Sequence, residues 1–215
     1  MFENIKLVDV LGFSLVNYPG HPCTVIFTAG CNLRCPWCHN WRIAYGDKSK
    51  QDRTKQVLER LKDLSKYMDA VCVTGGEPTI HADLVDVLKL LRKWGYIVKL
   101  DTNGTKPEIL EKALPFLNYV ALDIKAHPDN YPKFTGMEEN VWWKVEASLN
   151  LLRKALLPHE LRMVKVPDLT TDRDVAFLKK IKREGELSLP SNIESVKLRK
   201  YIAPPDRHRD SASWL

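Results

Sequence analysis

Short β-rich apolar runs alternate with stretches of helical period along nearly the whole chain, and this constrains the fold more than any other feature. Six runs read as strands: Thr24–Thr28, Val71–Thr74, Ile97–Thr102, Tyr119–Ile124, Leu161–Val166 and Ser195–Tyr201. Between them, apolar residues recur at helical spacing. Val57, Leu58, Leu61, Leu64 and Met68 form one stripe, and Leu84, Val87, Leu88, Leu91 and Trp94 a second. Ile109, Leu110 and Ala113 follow Pro107, a residue suited to a first helical position. Two more stripes run through Trp142, Val145, Leu149, Leu152 and Leu156, then Val175, Leu178 and Ile181. Strands joined by crossover helices run parallel, so the class is α/β. Periodicity alone leaves open whether the sheet stays flat or closes toward a barrel.

The first 23 residues fall outside the repeat. Ile5–Val10 alternates, Leu11-Gly12 suggests a turn and Phe13–Val16 resumes, which predicts a small β-hairpin closed by Asn17-Tyr18-Pro19-Gly20. There is no further repeat, low-complexity segment or linker. The expectation is a single domain over 1–215, with a hairpin at 1–23, the strand–helix repeat at 24–203 and a tail at 204–215.

Composition narrows the class of protein. With 215 residues, 44% hydrophobic and 28% charged, the chain can bury a core of its own. No apolar run approaches the ~18–20 residues of a membrane helix, and no signal-like segment opens the chain. A cytoplasmic location without membrane contact is expected, where thiols stay reduced. The five cysteines then read as chemistry or as small buried hydrophobes. Lys and Arg exceed Asp and Glu by 33 to 27, a charge of +6. Most are interleaved with acids on helices, as solvated faces are. Lys197-Leu198-Arg199-Lys200-Tyr201, with Arg207-His208-Arg209 behind it, is the best candidate for a basic patch.

In parallel strand–helix folds, ligands gather at the carboxyl ends of strands. Here those ends read Gly30-Cys31, Gly75-Gly76-Glu77-Pro78, Asp101-Thr102-Asn103-Gly104 and Asp123-Ile124-Lys125. The first opens Cys31-Asn32-Leu33-Arg34-Cys35-Pro36-Trp37-Cys38, three thiols spaced CxxxCxxC. Three cysteines can hold three irons of a [4Fe–4S] cube and leave the fourth open. Cys35–His39 also fits CxxCH haem attachment, which leaves Cys31 unexplained and normally needs export. A Cys3His zinc site would require the adjacent Cys38 and His39 to share one tetrahedral ion. Inert thiols are a further alternative, and Cys72 in Val71-Cys72-Val73 reads as a core residue.

These strings, with Thr28-Ala29-Gly30 before the cysteines and His39-Asn40 after them, resemble the radical S-adenosylmethionine superfamily. More narrowly, Phe13–Gly20, the Cys-His-Asn string, Asp101–Gly104 and Leu122–Lys125 resemble activases of glycyl radical enzymes. The short activating proteins of anaerobic ribonucleotide reductase and the pyruvate formate-lyase activases are the nearest types. The resemblance covers about residues 12–203 and implies an incomplete (β/α)6 barrel.

It also implies a chemistry. A reduced cluster on Cys31, Cys35 and Cys38 passes one electron to the sulfonium of S-adenosylmethionine. This releases methionine and a 5′-deoxyadenosyl radical that abstracts hydrogen from the substrate. Gly75, Gly76 and Glu77 would line the methionine ammonium, where glycines let the backbone approach. Asp123 and Lys125, two apart on a strand, share a face and would hold ribose and carboxylate. Asp101, Thr102, Trp37, His39 and Arg162 complete the cofactor contacts. Asn17 stands where many relatives carry aspartate, and Phe177 where pyruvate formate-lyase activases carry histidine. With only Cys23 and Cys72 to spare, the short activase type without a second cluster is implied. The expected partner is a glycyl radical enzyme, with flavodoxin or ferredoxin as electron donor. Radical chemistry on a small molecule or a tRNA base is the alternative, as in deazapurine synthases or tRNA-modifying enzymes. A zinc-binding module without catalysis is a third reading.

Overall fold

The computed structural model describes residues 2–188 and 194–200. Tyr201, Arg207-His208-Arg209 and the tail at 204–215 lie outside the described residues. Seven strands form one sheet in sequence order: β1 Leu7–Tyr18, β2 His21–Thr28, β3 Ala70–Gly75, β4 Ile97–Thr102, β5 Tyr119–Asp123, β6 His159–Lys165 and β7 Glu194–Lys200. β1 is antiparallel to β2, and every later neighbour is parallel. The sheet curls into the expected half-barrel of six parallel strands.

Between β2 and β3 lie α1 (Trp41–Ala44) and α2 (Thr54–Leu64); α3 (Leu84–Lys93) follows β3 and α4 (Pro107–Ala113) follows β4. α5 (Tyr131–Thr135) and α6 (Trp142–Lys154) follow β5, and α7 (Asp172–Ser188) follows β6. The five predicted stripes form α2, α3, α4, α6 and α7. Their apolar residues, such as Val57, Leu61, Leu84, Leu88, Leu91, Val145, Leu152 and Leu178, bury against the outside of the sheet. On the inner side, Tyr18, Cys23, Val25, Ala70 and Cys72 pack into a separate apolar plug, so Cys72 is a core thiol.

The amino-terminal hairpin differs from the expectation. Leu11-Gly12 is no turn: the strand runs on to Tyr18 and absorbs the irregularity as register shifts after Leu11 and after Ser14. Gly12 faces Arg60 and Leu64 of α2, at a distance where a Cβ would make ordinary contact. Reversal falls at Pro19-Gly20, with Gly20 at φ +77°, and the returning arm is β2 itself. A local turn signal lost here to the pairing available along the whole of β2.

A few buried polar contacts fix the helices to the strand ends. Thr54 Oγ1 accepts from Leu7 N at 2.9 Å and donates to Ile5 O at 3.2 Å, tying α2 to β1. Ser148 Oγ of α6 donates to Gly104 O at 2.7 Å. At the start of α7, Asp174 accepts from Thr171 N and Oγ1, while Asp174 N donates to Thr171 Oγ1, a reciprocal cap. The same carboxylate accepts from His127 N at 2.7 Å and Asn130 Nδ2 at 3.0 Å, so it also anchors the segment after β5.

Burial alone would raise the Asp174 carboxyl, but the hydrogen bonds from Thr171 and His127 hold it below its ordinary value. Its contribution is present above its unfolded pKa of about 3.9 and is lost as pH falls toward the lower folded value. Asp174→Ala should cost about 1–2 kcal/mol near neutral pH. Thermal unfolding should show this difference between variant and parent shrinking below about pH 4.

Candidate active site

All thirteen residues singled out from the sequence line one cavity of about 480 Å³ at the carboxyl ends of β2 to β6. Cys31, Cys35, Trp37, Cys38 and His39 come from the loop after β2; Gly75, Gly76 and Glu77 from the end of β3. Asp101 and Thr102 belong to β4, Asp123 and Lys125 to β5 and its exit, and Arg162 to β6. Among them His39 is exposed and Trp37 is buried.

The cysteine loop is shaped by its neighbours. Cys38 N donates to Cys35 O at 3.0 Å, and Arg34 N donates to Thr135 O of α5 at 2.7 Å. Trp37 meets Phe134 of α5 edge to face, with centroids 5.1 Å apart, so it packs into the core at the edge of the cavity. Burial pushes the Cys31 thiol up to about 12, with Glu77 adding to the rise, and the Cys35 thiol up to about 11 against the pull of Lys125. Buried thiols in this state become ligands only by surrendering protons to a cationic centre. Among the described residues, no three His, Cys, Asp or Glu side chains sit close enough to share a single ion. A [4Fe–4S] cube takes one thiolate on each of three irons, so three cysteines on one cavity fit it without converging on a single ion.

The strand-end loops are knitted at backbone level. Gly76 N donates to Thr28 O at 2.9 Å and Glu77 N to Gly30 O at 2.8 Å. A Cβ on Gly76 would stand 1.8 Å from Gly30 O, so only glycine permits this approach. Asn40 Nδ2 donates to Gly75 O at 2.8 Å. Both oxygens of Glu77 face protein: Oε1 accepts from Thr79 N, Thr79 Oγ1 and Thr102 Oγ1, and Oε2 from Asn103 N. Burial raises this carboxyl despite those four bonds. Glu77 therefore joins the β3 loop to the β4 loop, and Thr102 serves the same joint.

Beneath them runs a ladder of alternating charge. Lys99, 1% exposed, pairs with Asp101; Asp101 Oδ2 meets Arg162 Nη1 at 3.1 Å. Arg162 Nε meets Asp123 Oδ1 at 2.8 Å, and Asp123 Oδ2 meets Lys125 Nζ at 3.0 Å. Glu160, also 1% exposed, lies 3.8 Å from Arg162, 4.0 Å from both Lys99 and Arg199, and pairs with Lys197. Burial would raise both aspartates, but Arg162, with Lys99 at Asp101 and Lys125 at Asp123, holds them below the usual carboxylate range. Burial would likewise depress Lys125, and Asp123 overrides it, raising Lys125 well above an ordinary lysine. Sequence reasoning missed Lys99 and Glu160. The signal was available, since each stands two residues before a predicted site residue, Asp101 and Arg162, and so shares its face. Asn40, Thr74, Asn103 and Arg199 also line the cavity and were not singled out.

A half-barrel that gathers three cysteines and the ends of its parallel strands on one cavity defines an iron–sulfur enzyme of the radical type. Residues 25–181 match the Radical SAM superfamily, and the chain belongs to it. Members use a [4Fe–4S] cluster and S-adenosylmethionine. It is 31% identical over 185 residues to a protein named as a glycyl-radical enzyme activating enzyme of Methanocaldococcus jannaschii, covering 83% of this chain and 75% of that one. Against the pyruvate formate-lyase-activating enzyme of Clostridium pasteurianum it is 34% identical over 140 residues, 61% of this chain and 57% of the relative. A solved structure described as native anSMEcpe with bound AdoMet shares the fold, with a TM-score of 0.64 at 20% identity over 86% of this chain and 52% of that one. Among the described residues no helix is long and apolar enough to cross a membrane.

Two substitutions test this geometry. Gly76→Ala should force the β2 and β3 loops apart, and anaerobic reconstitution should then load less iron than the parent. Lys99→Met should cost about 3 kcal/mol by leaving part of the Asp101 charge uncompensated, and Lys99→Met with Asp101→Asn should recover most of that loss. Chemical denaturation of all three forms reads the difference.

Proposed function

We propose that this chain is a short glycyl-radical-enzyme activase, which removes a hydrogen from a glycine Cα of an anaerobic ribonucleotide reductase or a similar enzyme. The observation that carries the reading is the set of three thiols on the cavity of a half-barrel whose first and last strands do not pair among the described residues. The relative from M. jannaschii at 31% identity and 75% coverage supports the same choice of substrate class. An open barrel suits a polypeptide loop, because the substrate can supply the wall that the missing strands do not.

When bound, the cluster and S-adenosylmethionine together supply one-electron cleavage of the sulfonium C–S bond and hydrogen abstraction at carbon. Cys31, Cys35 and Cys38 hold three irons, each thiol giving up its proton on binding. Gly75 and Gly76 keep the backbone bare where the methionine group lies, with Trp37 and His39 offering backbone beside the adenine. Asp123, oriented by Arg162, accepts from ribose hydroxyls, and Lys125 donates to the carboxylate. Asp101, Thr102 and Glu77 act by position, since their side-chain oxygens are already engaged by protein. In this reading the chain is one domain working in a reducing cytoplasm, with flavodoxin or ferredoxin as donor.

Anaerobic reconstitution, reduction and addition of S-adenosylmethionine should yield 5′-deoxyadenosine, and a glycyl radical signal should appear with the cognate reductase. Cys35→Ala should lose the cluster. Asp123→Asn should weaken S-adenosylmethionine binding about tenfold, the worth of one charge-assisted hydrogen bond. A full cluster that gives no 5′-deoxyadenosine would sink the enzyme reading. Product without any glycyl radical would favour a small-molecule or tRNA substrate.

A further inference from the structure

The inner faces of β6 and β7 share one register. Arg162 pairs across with Lys197 and Val164 with Arg199, so Glu160, Arg162, Val164, Lys197 and Arg199 all point to the same side of the sheet. Four cations surround Glu160: Lys197 pairs with it, Arg162 stands at 3.8 Å, and Lys99 and Arg199 at 4.0 Å. Three of the four hold a carboxylate in direct contact. Lys197 holds Glu160, Lys99 holds Asp101, and Arg162 holds Asp101 and Asp123. Arg199 is the exception. Among the described residues its guanidinium meets one carboxylate, Glu160, and only at 4.0 Å.

The cavity shows the same surplus. Its lining includes Lys125, Arg162 and Arg199 against Glu77, Asp101 and Asp123. Lys125 and Arg162 are matched by Asp123 and Asp101. Glu77 gives Arg199 nothing, because both its oxygens accept from Thr79, Thr102 and Asn103. The Arg199 side chain is 47% exposed and reaches the cavity beside its register partner Val164, which is apolar. Among the described residues no strand lies beyond β7. The open side of the half-barrel thus carries a guanidinium with no carboxylate in direct contact.

We infer that Arg199 is a specificity-determining residue, pairing with a carboxylate side chain of the polypeptide that brings its glycine into the cavity. The inference rests on the activase reading and deepens it, since the substrate loop must then carry an acid near the radical glycine. A guanidinium presents a planar fork that matches a carboxylate, so the pair fixes direction as well as distance. An acid anchored on β7 sets how far along the bound segment the reacting residue lies, which selects one Cα among many. Arg199 keeps its charge throughout and takes part in no bond-breaking step.

The test uses the reconstituted holoenzyme with S-adenosylmethionine and, as probe, the cognate anaerobic ribonucleotide reductase, with the glycyl radical read by electron paramagnetic resonance. Arg199→Gln should raise the KM for the reductase about tenfold, the worth of one charge-assisted pair, while kcat stays within about twofold. Arg199→Lys keeps the charge without the fork and should fall between; should Arg199→Gln load less iron than the parent, Arg199→Lys carries the same comparison. Lys180→Gln removes an equal charge from α7, off the cavity, and should match the parent. In the reductase, the acids flanking the radical glycine are replaced by their amides one at a time. One replacement should raise KM equally with the parent enzyme and add nothing further with Arg199→Gln. An unchanged reductase KM in the Arg199 variants overturns the inference, as does the lack of any acid coupled to Arg199. A rise in the KM for S-adenosylmethionine in its place also overturns it, assigning Arg199 to the cofactor. Those outcomes leave the activase reading standing, because the parent enzyme still forms the radical. A parent that forms none brings down that reading and this inference with it.

Discussion

The inner wall of this half-barrel depends on a charge ladder that is buried at its base and opens onto the cavity at its top. Lys99, Asp101, Arg162 and Glu160 sit at 9% exposure or less, on β4 and β6, the two strands that flank β5. Placed singly, each would cost several kcal/mol in desolvation, so none is tolerable without the others. Lys99, Asp101 and Arg162 pair directly, Glu160 balances them at 3.8 to 4.0 Å and pairs with Lys197, and the compensation extends upward to Asp123 and Lys125 at the mouth of the cavity. A purely apolar lumen would pack as well. It would not present a carboxylate and an ammonium at fixed positions beside three thiols.

That coupling separates two kinds of site residue that look alike in sequence. Asp101 and Asp123 both end strands and both read as ligands of a cofactor. Asp101 has Lys99 below it and Arg162 beside it, and Thr74 Oγ1 donates to it at 3.2 Å, so its capacity is spent inside the wall. Asp123 also accepts from Arg162 and Lys125, but its side chain is 29% exposed against 11% for Asp101, so it keeps more surface open to the cavity. Glu77 follows the logic of Asp101: it lies in the motif that names the site, yet its oxygens serve the adjoining loop. A motif residue can therefore be indispensable to a site without touching what binds there.

Strand ends and helical stripes were legible because parallel strands and amphipathic helices impose periods of 2 and about 3.6 that survive in the sequence. β4 matched its predicted limits, Ile97–Thr102, and α3 and α4 began at the predicted residues. α1 and α5, of four and five residues, are too short for a stripe to register, and α5 is nonetheless what Trp37 and Arg34 lean on. The Leu11-Gly12 turn failed for a different reason: pairing with β2 continues on both sides of it, and a glycine inside a strand looks the same in sequence as one that bends the chain. Lys99 and Glu160 were hidden by habit: a charged residue in a strand is read as solvent-facing, whereas a half-barrel has an inner face that is neither core nor solvent.

The same geometry frames the cysteine loop. On the cavity side the loop meets strand ends whose charges nearly cancel, Glu77, Asp101 and Asp123 against Lys125, Arg162 and Arg199. A cavity so balanced exerts little long-range pull on a charged partner and leaves recognition to shape and short contacts. On the outside of the same loop, Arg34 is held over Tyr45 by contacts that also brace the backbone of Cys31 and Cys35. The cysteine loop is thus braced from outside by a guanidinium stacked on Tyr45 and from inside by the strand-end loops that Gly76 and Glu77 join.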